Sequence, residues 1–219
     1  MVTSQRVYCA RMKNVGIAAV LFLVLGCATS APDRSARAAS SLEVMQQNSM
    51  KARMQIDAVL SSLDGLLNAE PDRLRKAYDH YDGDVKKMKN YASAIRENDA
   101  DLKKNGKTYL DQWQKDASSV SNPELRAIAE QRQSEISEKT TSMRPTISVA
   151  AESFAGFLRD IDDIHKVIGN DLTATGQAKV KSTTLAQTVS QEGADVKGAL
   201  ENAEQSVAGL RAEITPAAK

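Results

Sequence analysis

Residues 74–95 read LRKAYDHYDGDVKKMKNYASAI, and the spacing of their apolar side chains decides the fold class. The apolar positions recur at alternating intervals of three and four residues, as in a helix that packs along one seam. They are Leu74, Tyr78, Tyr81, Val85, Met88, Ala92 and Ile95. A half-buried strand would alternate apolar and polar residues, and this stretch does not. The stretch therefore predicts a long helix that packs against other helices.

The same spacing continues to residue 214 and predicts an all-α fold with four helices. Ser40 with Glu43 has the pattern of a capping box, Pro71 suits a first helical turn, and Pro216 stops the last helix. The seam of the third helix begins at Leu125. The predicted ranges are 40–67, 72–119, 123–168 and 172–214.

These helices predict an elongated antiparallel bundle with coiled-coil-like heptad packing. At 1.5 Å per residue, the two middle helices would each be about 70 Å long. Short connections force neighbouring helices to run antiparallel. Because the first predicted helix is much shorter than the next two, we expect four helices at one end and three at the other. Only 4% of the residues are aromatic, which also favours long helices over a sandwich or a barrel.

The turn at about residue 121 predicts which residues of the second and third helices face each other. Trp113 would face Ala129 and be buried against the third helix, and Asp99 would lie beside Arg144. Pro145 interrupts the third helix. Because proline has no backbone N–H to donate, we expect a bend or a break there.

The N-terminus carries the most specific motif of the chain. Arg11 and Lys13 precede an uncharged apolar run over residues 15–25, which is too short to span about 30 Å of hydrocarbon and suits a secretory signal. The run ends in Val24-Leu25-Gly26-Cys27, which resembles a bacterial lipobox. In such signals the cysteine thiol is diacylated, the chain is cut before the cysteine, and the new amine is usually acylated as well.

Two other interpretations of this segment are a core strand that ends in Gly-Cys and a plain secretory signal cleaved near Ala31. Met12 could also be the true start, in which case Cys9 would not be part of the protein. Cleavage before Cys27 leaves that residue as the only cysteine, so the mature chain could form no internal disulfide.

The lipobox-like motif predicts a division of the chain into three parts and a location for the protein. Residues 1–26 would be the signal peptide, residues 27–39 a flexible tether after the lipidated Cys27, and residues 40–219 a single helical bundle domain. Lipoproteins with Asp directly after the cysteine tend to stay in the inner membrane of Gram-negative bacteria. Since Ala28 stands there, we expect a lipid anchor in the outer membrane, on the periplasmic side. Two or three acyl chains, at about 0.8 kcal/mol per buried methylene, make such an anchor effectively permanent.

The sequence offers little that could perform catalysis. The two histidines, His80 and His165, are far apart, and Asp162 is the residue that would share a helical face with His165. A zinc site normally needs three or four protein ligands, and neither an HExxH pattern nor a cysteine pair is present. We expect instead a solvated acidic face with His165 at the edge of the seam. We therefore expect no enzyme, no catalytic residue, no metal and no cofactor.

Charge excludes one class of partner and leaves another open. A net charge of +1 provides no basic field for nucleic acid. The second predicted helix carries two small lysine clusters, which could touch anionic lipid or peptidoglycan carboxylates, although a solvated helix face looks the same. They are Lys86, Lys87 and Lys89, and Lys103, Lys104 and Lys107.

Four segments together resemble one family of proteobacterial coiled-coil proteins, many of them predicted envelope lipoproteins. They are Tyr78-Asp79-His80-Tyr81, Leu110-Asp111-Gln112-Trp113, Met143-Arg144-Pro145 and residues 157–170. The likeness covers about residues 40–210, although this chain carries extra residues between Pro145 and Phe157. The family is catalogued only as a domain of unknown function. The resemblance therefore implies a helical architecture and no catalytic residue.

These observations predict a membrane-anchored envelope lipoprotein that acts as a non-catalytic scaffold, spacer or protein-interaction module. Its partners would be the membrane, through the acyl chains, and another envelope protein or peptidoglycan. An alternative is a helical module that binds a hydrophobic ligand or inserts into a membrane, although the loops near residues 69, 121 and 170 are polar. The oligomeric state stays open.

The C-terminal residue, Lys219, suggests a possible covalent link. A well-known small heptad-type lipoprotein of the outer membrane is bonded to peptidoglycan through its C-terminal lysine, and this chain is similar in its lipobox, its heptads and its last residue. Pro216 would leave Lys219 on a short mobile tail. An up-down-up-down order of the helices puts that tail at the end of the rod opposite the turns near residues 69 and 170, so a rod about 70 Å long could hold it clear of the membrane.

Overall fold

The protein forms five helices over residues 30–215, which are the residues described by the computed structural model. In order they are α1 (Ala31–Leu67), α2 (Leu74–Ser118), α3 (Pro123–Asn170), α4 (Ala174–Lys181) and α5 (Thr184–Ile214). The predicted all-α class is confirmed. The predicted ends of the second and third helices lie within two residues of those of α2 and α3.

The four long helices form an antiparallel ring. α1 packs against α2 and α5, and α3 completes the ring by packing against the same two helices, while the short α4 rests on α1 and α3. The Gln55 amide of α1 donates to the Asp84 carbonyl of α2 at 3.1 Å, and Arg34 pairs with Asp116 further along. From the first contact to the second, the residue number falls along α1 and rises along α2. The two helices are therefore antiparallel.

The seam residues predicted from the heptads form one continuous core. Its tightest part lies where the α1–α2 turn meets the end of α3, because the side chains there are enclosed on every side. Eight residues of the core are 0% exposed: Ala52, Ile56, Val59, Leu66, Tyr81, Met88, Ile161 and Ile168.

The first helix begins nine residues earlier than predicted. The Ser30 hydroxyl accepts from the Asp33 N–H at 3.3 Å, and the Asp33 carboxylate accepts from the Ser30 N–H at 3.3 Å, so the capping box is here and not at residue 40. The predicted tether over residues 27–39 is therefore wrong for residues 31–39. Their alanines have the highest helix propensity of any residue, and Ala38 and Ala39 are buried in the bundle.

The predicted fourth helix, 172–214, is divided into α4 and α5. The Thr183 hydroxyl accepts from the Ala186 N–H at 3.2 Å and starts a new helix, as threonine does when its side chain competes with the backbone. α4 then closes the end of α1, because the Gln177 amide donates to the Leu66 carbonyl at 2.7 Å and to the Ala69 carbonyl at 3.0 Å.

Of the bend or break predicted at Pro145, the break does not occur, since α3 is continuous from Pro123 to Asn170. Pro145 cannot donate to the carbonyl of Thr141, four residues before it. Thr141 is exposed, so water can satisfy that carbonyl. The buried Met143 and Ile147 on either side keep the helix on the core.

Four helices meet at one end of the bundle and three at the other, as predicted, but for a different reason. α5 ends at Ile214, where Glu213 pairs with Arg132 and Lys139. α1 continues past that point toward Ala31. The three-helix end therefore arises from the end of α5 and not from a short first helix.

We refer to the two ends by name below. The closed end comprises residues 56–85 and 161–180, and the open end comprises residues 31–42 and 106–132. At the open end, Leu125 and Ile128 are 58% and 59% exposed because no described residue of α5 lies beside them. The prediction of Leu125 as a seam residue is therefore wrong.

Candidate functional site

A polar cluster between α2 and α3 surrounds His165 at the closed end. Its Nε2 lies 3.0 Å from the Tyr78 hydroxyl and 2.9 Å from Asp82 Oδ1. The Tyr78 and His165 rings are stacked with centroids 5.2 Å apart. A proton on Nε2 satisfies both contacts, because the carboxylate and the phenol oxygen both accept. His165 thus lies at the edge of the seam between α2 and α3, where the sequence placed it, and both of these contacts are with α2.

Hydrogen bonds and burial keep the Asp82 carboxyl ionised and the phenols of Tyr78 and Tyr81 neutral at neutral pH. The hydrogen bond from Lys86, at 2.6 Å, lowers the pKa of the Asp82 carboxyl, and the bond from His165 lowers it further. Burial raises the pKa of Tyr78 and, more strongly, that of Tyr81, whose hydroxyl donates to the Ile161 carbonyl at 2.7 Å. The cluster therefore joins α2 to α3, and neither tyrosine is activated as a nucleophile.

The other predicted site residues are not brought to His165. Asp162 pairs with Lys89 at 2.5 Å and with Lys166 at 2.9 Å. His80 is exposed on α2 and lies 3.6 Å from Asp84. Within residues 30–215, no group of three or more His, Cys, Asp or Glu is placed to hold a metal ion.

The predicted lysine clusters are largely neutralised by neighbouring carboxylates. Lys103 pairs with Asp99 and Lys107 with Asp111, each at 2.5 Å and one helical turn away. Lys87 pairs with Asp84 in the same helix at 3.2 Å. Together with the pairs of Lys86 and Lys89, these contacts leave α2 with a mixed charge pattern and no continuous basic face.

A groove of about 730 Å³ lies between α2 and α3 and extends from the middle of the bundle toward the open end. Asp99 and Arg144 line it together, as the predicted register requires, although the carboxylate of Asp99 pairs with Lys103. Gly106 contributes no side chain to its wall, and a β-carbon there would meet no atom within 4 Å. Both charged and apolar side chains line this groove.

A second groove, of about 440 Å³, lies at the open end, and we call it the terminal groove. Trp113 is half-buried in it, tilted against Tyr109 with ring centroids 5.5 Å apart. Trp113 and Ala129 line the same groove, so the register is right, but the expected full burial of Trp113 is wrong. The groove is lined by Ala31, Pro32, Arg34, Ser35, Tyr109, Trp113, Asp116, Ala117, Val120 and Ala129.

The sequence contains a signal for this groove that the heptad argument overlooked. The fourth predicted helix ends at residue 214, whereas the third begins at 123 and has its first apolar residues at Leu125 and Ile128. An antiparallel partner of that length cannot cover those residues. An uncovered apolar surface at the open end follows from the unequal helix lengths.

Cys27 and Lys219 both lie outside the described residues. The described end of α5 nevertheless shows where the C-terminal tail begins. Arg211 pairs with Glu43 of α1 at 2.9 Å, so Thr215 lies toward the open end, where α1 also begins. This is the end of the rod opposite the turns near residues 69 and 170, as the antiparallel order predicts. That the rod holds the tail clear of the membrane stays a prediction. Attachment of Lys219 to peptidoglycan stays a prediction.

Comparison with known families identifies the family to which this chain belongs. The family described as "Protein of unknown function (DUF2959)" matches residues 35–210, and the chain belongs to this family. The resemblance seen in the sequence to a domain of unknown function is thereby confirmed. No curated protein matches the chain, and no solved structure matches it. In the described part of the chain, none of the helices combines the length and the apolar composition needed to cross a bilayer.

Proposed function

We propose that this protein is a lipoprotein of the bacterial envelope that acts as a non-catalytic scaffold or spacer. Acyl chains on Cys27 anchor it in the outer membrane, on the periplasmic side. The lipobox Val24-Leu25-Gly26-Cys27 supports the anchor. A rigid helical bundle that belongs to a family of unknown function supports the coarser part of the proposal, a helical module.

The observation that carries this proposal is the position of α1 relative to Cys27. α1 begins at Ala31, only four residues after the cysteine, and its N-terminus is held by the Ser30–Asp33 capping box. Four residues span at most about 14 Å, so the bundle would stand directly on the membrane with its open end toward it. The 37 residues of α1 would place the closed end about 55 Å away.

The contacts of the polar side chains favour a non-catalytic role. His165 is bonded to Tyr78 and Asp82, and Asp162 is bonded to two lysines. Each of these groups joins two helices or stabilises one. Asp162 also lines a groove of about 430 Å³ between α2 and α3, but its carboxylate is held there by Lys89 and Lys166. The bundle would work through its surface, on another envelope protein or on peptidoglycan.

Metabolic labelling tests the anchor. Cells that make the full chain are grown with radiolabelled palmitate, and the wild type is compared with Cys27→Ser and Cys9→Ser. We expect label in the wild type and in C9S, and none in C27S, which should also leave the membrane fraction or stay uncleaved. Label retained in C27S would exclude the anchor, and the matched C9S variant controls for loss of any cysteine.

A second substitution tests the choice of membrane. Asp in place of Ala28 should move the labelled protein from the outer to the inner membrane on a sucrose density gradient, and Ala28→Ser should not. Wild-type protein that already bands with the inner membrane would contradict the outer-membrane location while leaving the lipid anchor intact.

A second candidate function is binding of a hydrophobic ligand, and the grooves of the bundle favour it. Pockets for small ligands commonly have volumes of about 300–1,000 Å³, and the grooves of about 730 and 440 Å³ both fall in that range. Organic extraction of the purified protein followed by mass spectrometry checks this function. A stoichiometric apolar compound that is not attached to Cys27 would support it, and its absence would favour the scaffold.

A further inference from the structure

The apolar walls of the terminal groove are only partly covered by the described helices. Its aromatic and aliphatic surface comes from three helices and is open where a fourth helix would lie. Trp113 and Tyr109 are only half-buried there, and Leu125 and Ile128 nearby are more than half exposed. Exposed apolar surface of this kind usually marks a site that is covered by a partner.

The groove begins where the anchor would begin. Ala31 and Pro32, in the first turn of α1, form part of its wall, and Cys27 stands four residues before Ala31. Four residues reach at most about 14 Å, so Cys27 cannot move far from the mouth of the groove. The segment that carries the acyl chains is thus tethered beside the most apolar described cleft of the bundle.

We propose that the terminal groove binds one acyl chain of the lipid-modified Cys27. This inference rests on the proposed lipid anchor. The apolar part of the groove wall consists of Tyr109, Trp113, Val120 and Ala129, which suits a methylene chain. Arg34 and Asp116 also line the groove, and they form an ion pair with each other, so their charges are paired there.

The number of acyl chains makes this occupancy compatible with the anchor. A fully processed lipobox cysteine carries two chains through its thiol and a third on its amine. Stable membrane anchoring needs two lipid signals, so one chain can lie in the groove while two remain in the bilayer. Occupancy would also fix the tilt of the bundle, because the chain would join the open end to the membrane surface.

A photoreactive fatty acid tests the proposal in intact cells. Cells that make the full chain are fed a palmitate analogue with a diazirine in its chain, irradiated and digested with trypsin. We expect the lipidated peptide 27–34 to be crosslinked to peptide 108–115, which carries Tyr109 and Trp113. Crosslinks to phospholipid alone, or bands of crosslinked dimer, would overturn the proposal, since they would place the chain in the bilayer or against a second copy.

Two matched substitutions localise the crosslink. Ala129→Phe fills the terminal groove and should abolish the crosslink, whereas Ala151→Phe fills a different groove and should leave it unchanged. Incorporation of the analogue is measured separately. Loss of incorporation would mean that the lipid anchor itself is wrong, while incorporation without the crosslink would overturn only the groove. The wild-type crosslink decides the question even if a variant fails to fold.

Discussion

The two ends of this bundle differ in how completely their apolar side chains are covered. At the closed end, where α4 packs on α1, α3 and α5, Leu66, Tyr81 and Ile168 are 0% exposed. At the open end, which three helices build, Leu125 and Ile128 are 58% and 59% exposed. The same heptad spacing runs through both ends, so the number of neighbouring helices decides whether a seam residue is buried.

The polar contacts at the two ends also differ in how deeply they are buried. At the closed end, Tyr81 donates to the Ile161 carbonyl, and Gln177 donates to the Leu66 carbonyl, both within the core. At the open end, Arg34 and Asp116 form an ion pair in the wall of the groove, with side chains that are 16% and 46% exposed. This pair is therefore partly accessible to solvent. The closed end therefore stabilises the fold, and the open end offers a surface beside the proposed anchor.

The largest difference between the ends should appear when the same substitution is made at each end of α3. Ile168→Ala removes a fully buried side chain and should lower the free energy of unfolding by about 2–5 kcal/mol. Ile128→Ala, in the same helix, should change it by less than about 0.5 kcal/mol because its side chain is exposed. Urea denaturation followed by circular dichroism measures both values, and equal losses would contradict the comparison.

Alanine substitutions at two glycines should change the free energy of unfolding by smaller amounts and in opposite directions. A β-carbon at Gly169 would overlap the Tyr78 hydroxyl and disturb its contact with His165, so Gly169→Ala should destabilise the protein by about 1 kcal/mol. Gly106 has open space around it, and Gly106→Ala should stabilise α2 by about 0.5–1 kcal/mol through its higher helix propensity. Thermal unfolding distinguishes them, and a stabilising G169A would refute the tight packing at the closed end.

The polar cluster of the closed end should contribute a modest dependence on pH. Hydrogen bonds from Lys86 and His165 keep the pKa of Asp82 low in the folded state, so the folded chain binds fewer protons than the unfolded chain near pH 4. The ionised Asp82 therefore stabilises the folded state above that pH, and this stabilisation is lost as the pH falls below it. Because the side chain is 25% exposed, we expect less than about 1 kcal/mol.

The measurement for Asp82 is the urea midpoint of the wild type and of Asp82→Asn between pH 6 and pH 2. The two curves should be separated at pH 6 and should approach each other as the pH falls. A separation that stays constant over the whole range would show that the carboxylate charge has no part in the stability of the closed end.

The smallest effect on global stability should come from the N-cap of α1 at the open end. Ser30→Ala removes the hydroxyl that caps the helix, which typically costs about 1 kcal/mol and here should loosen only the first turns. Ser40→Ala, at the cap that the sequence predicted, should have no such effect because Ser40 lies inside α1. Hydrogen exchange of the amides over residues 31–39 should be faster in S30A and unchanged in S40A.

The amino-acid sequence by itself determined the helical class, the extent of two helices and their relative register. The apolar spacing and the turn at Asn122 and Pro123 are local signals, and local signals are enough to place Tyr81 against Ile161. The lipobox-like stretch Val24-Leu25-Gly26-Cys27 is equally local and supports the proposed function. In each case a short segment contains all the information, because its chemistry does not depend on what packs beside it.

The tertiary structure alone decided the features that depend on neighbouring helices. Pro145 stays within a continuous α3 because Met143 and Ile147 are held by the core. His165 is joined to Tyr78 and Asp82 because two antiparallel helices bring together residues more than 80 positions apart. The terminal groove exists because α5 ends before α1 and α3 do, and the mutual placement of helix ends depends on how the whole bundle packs.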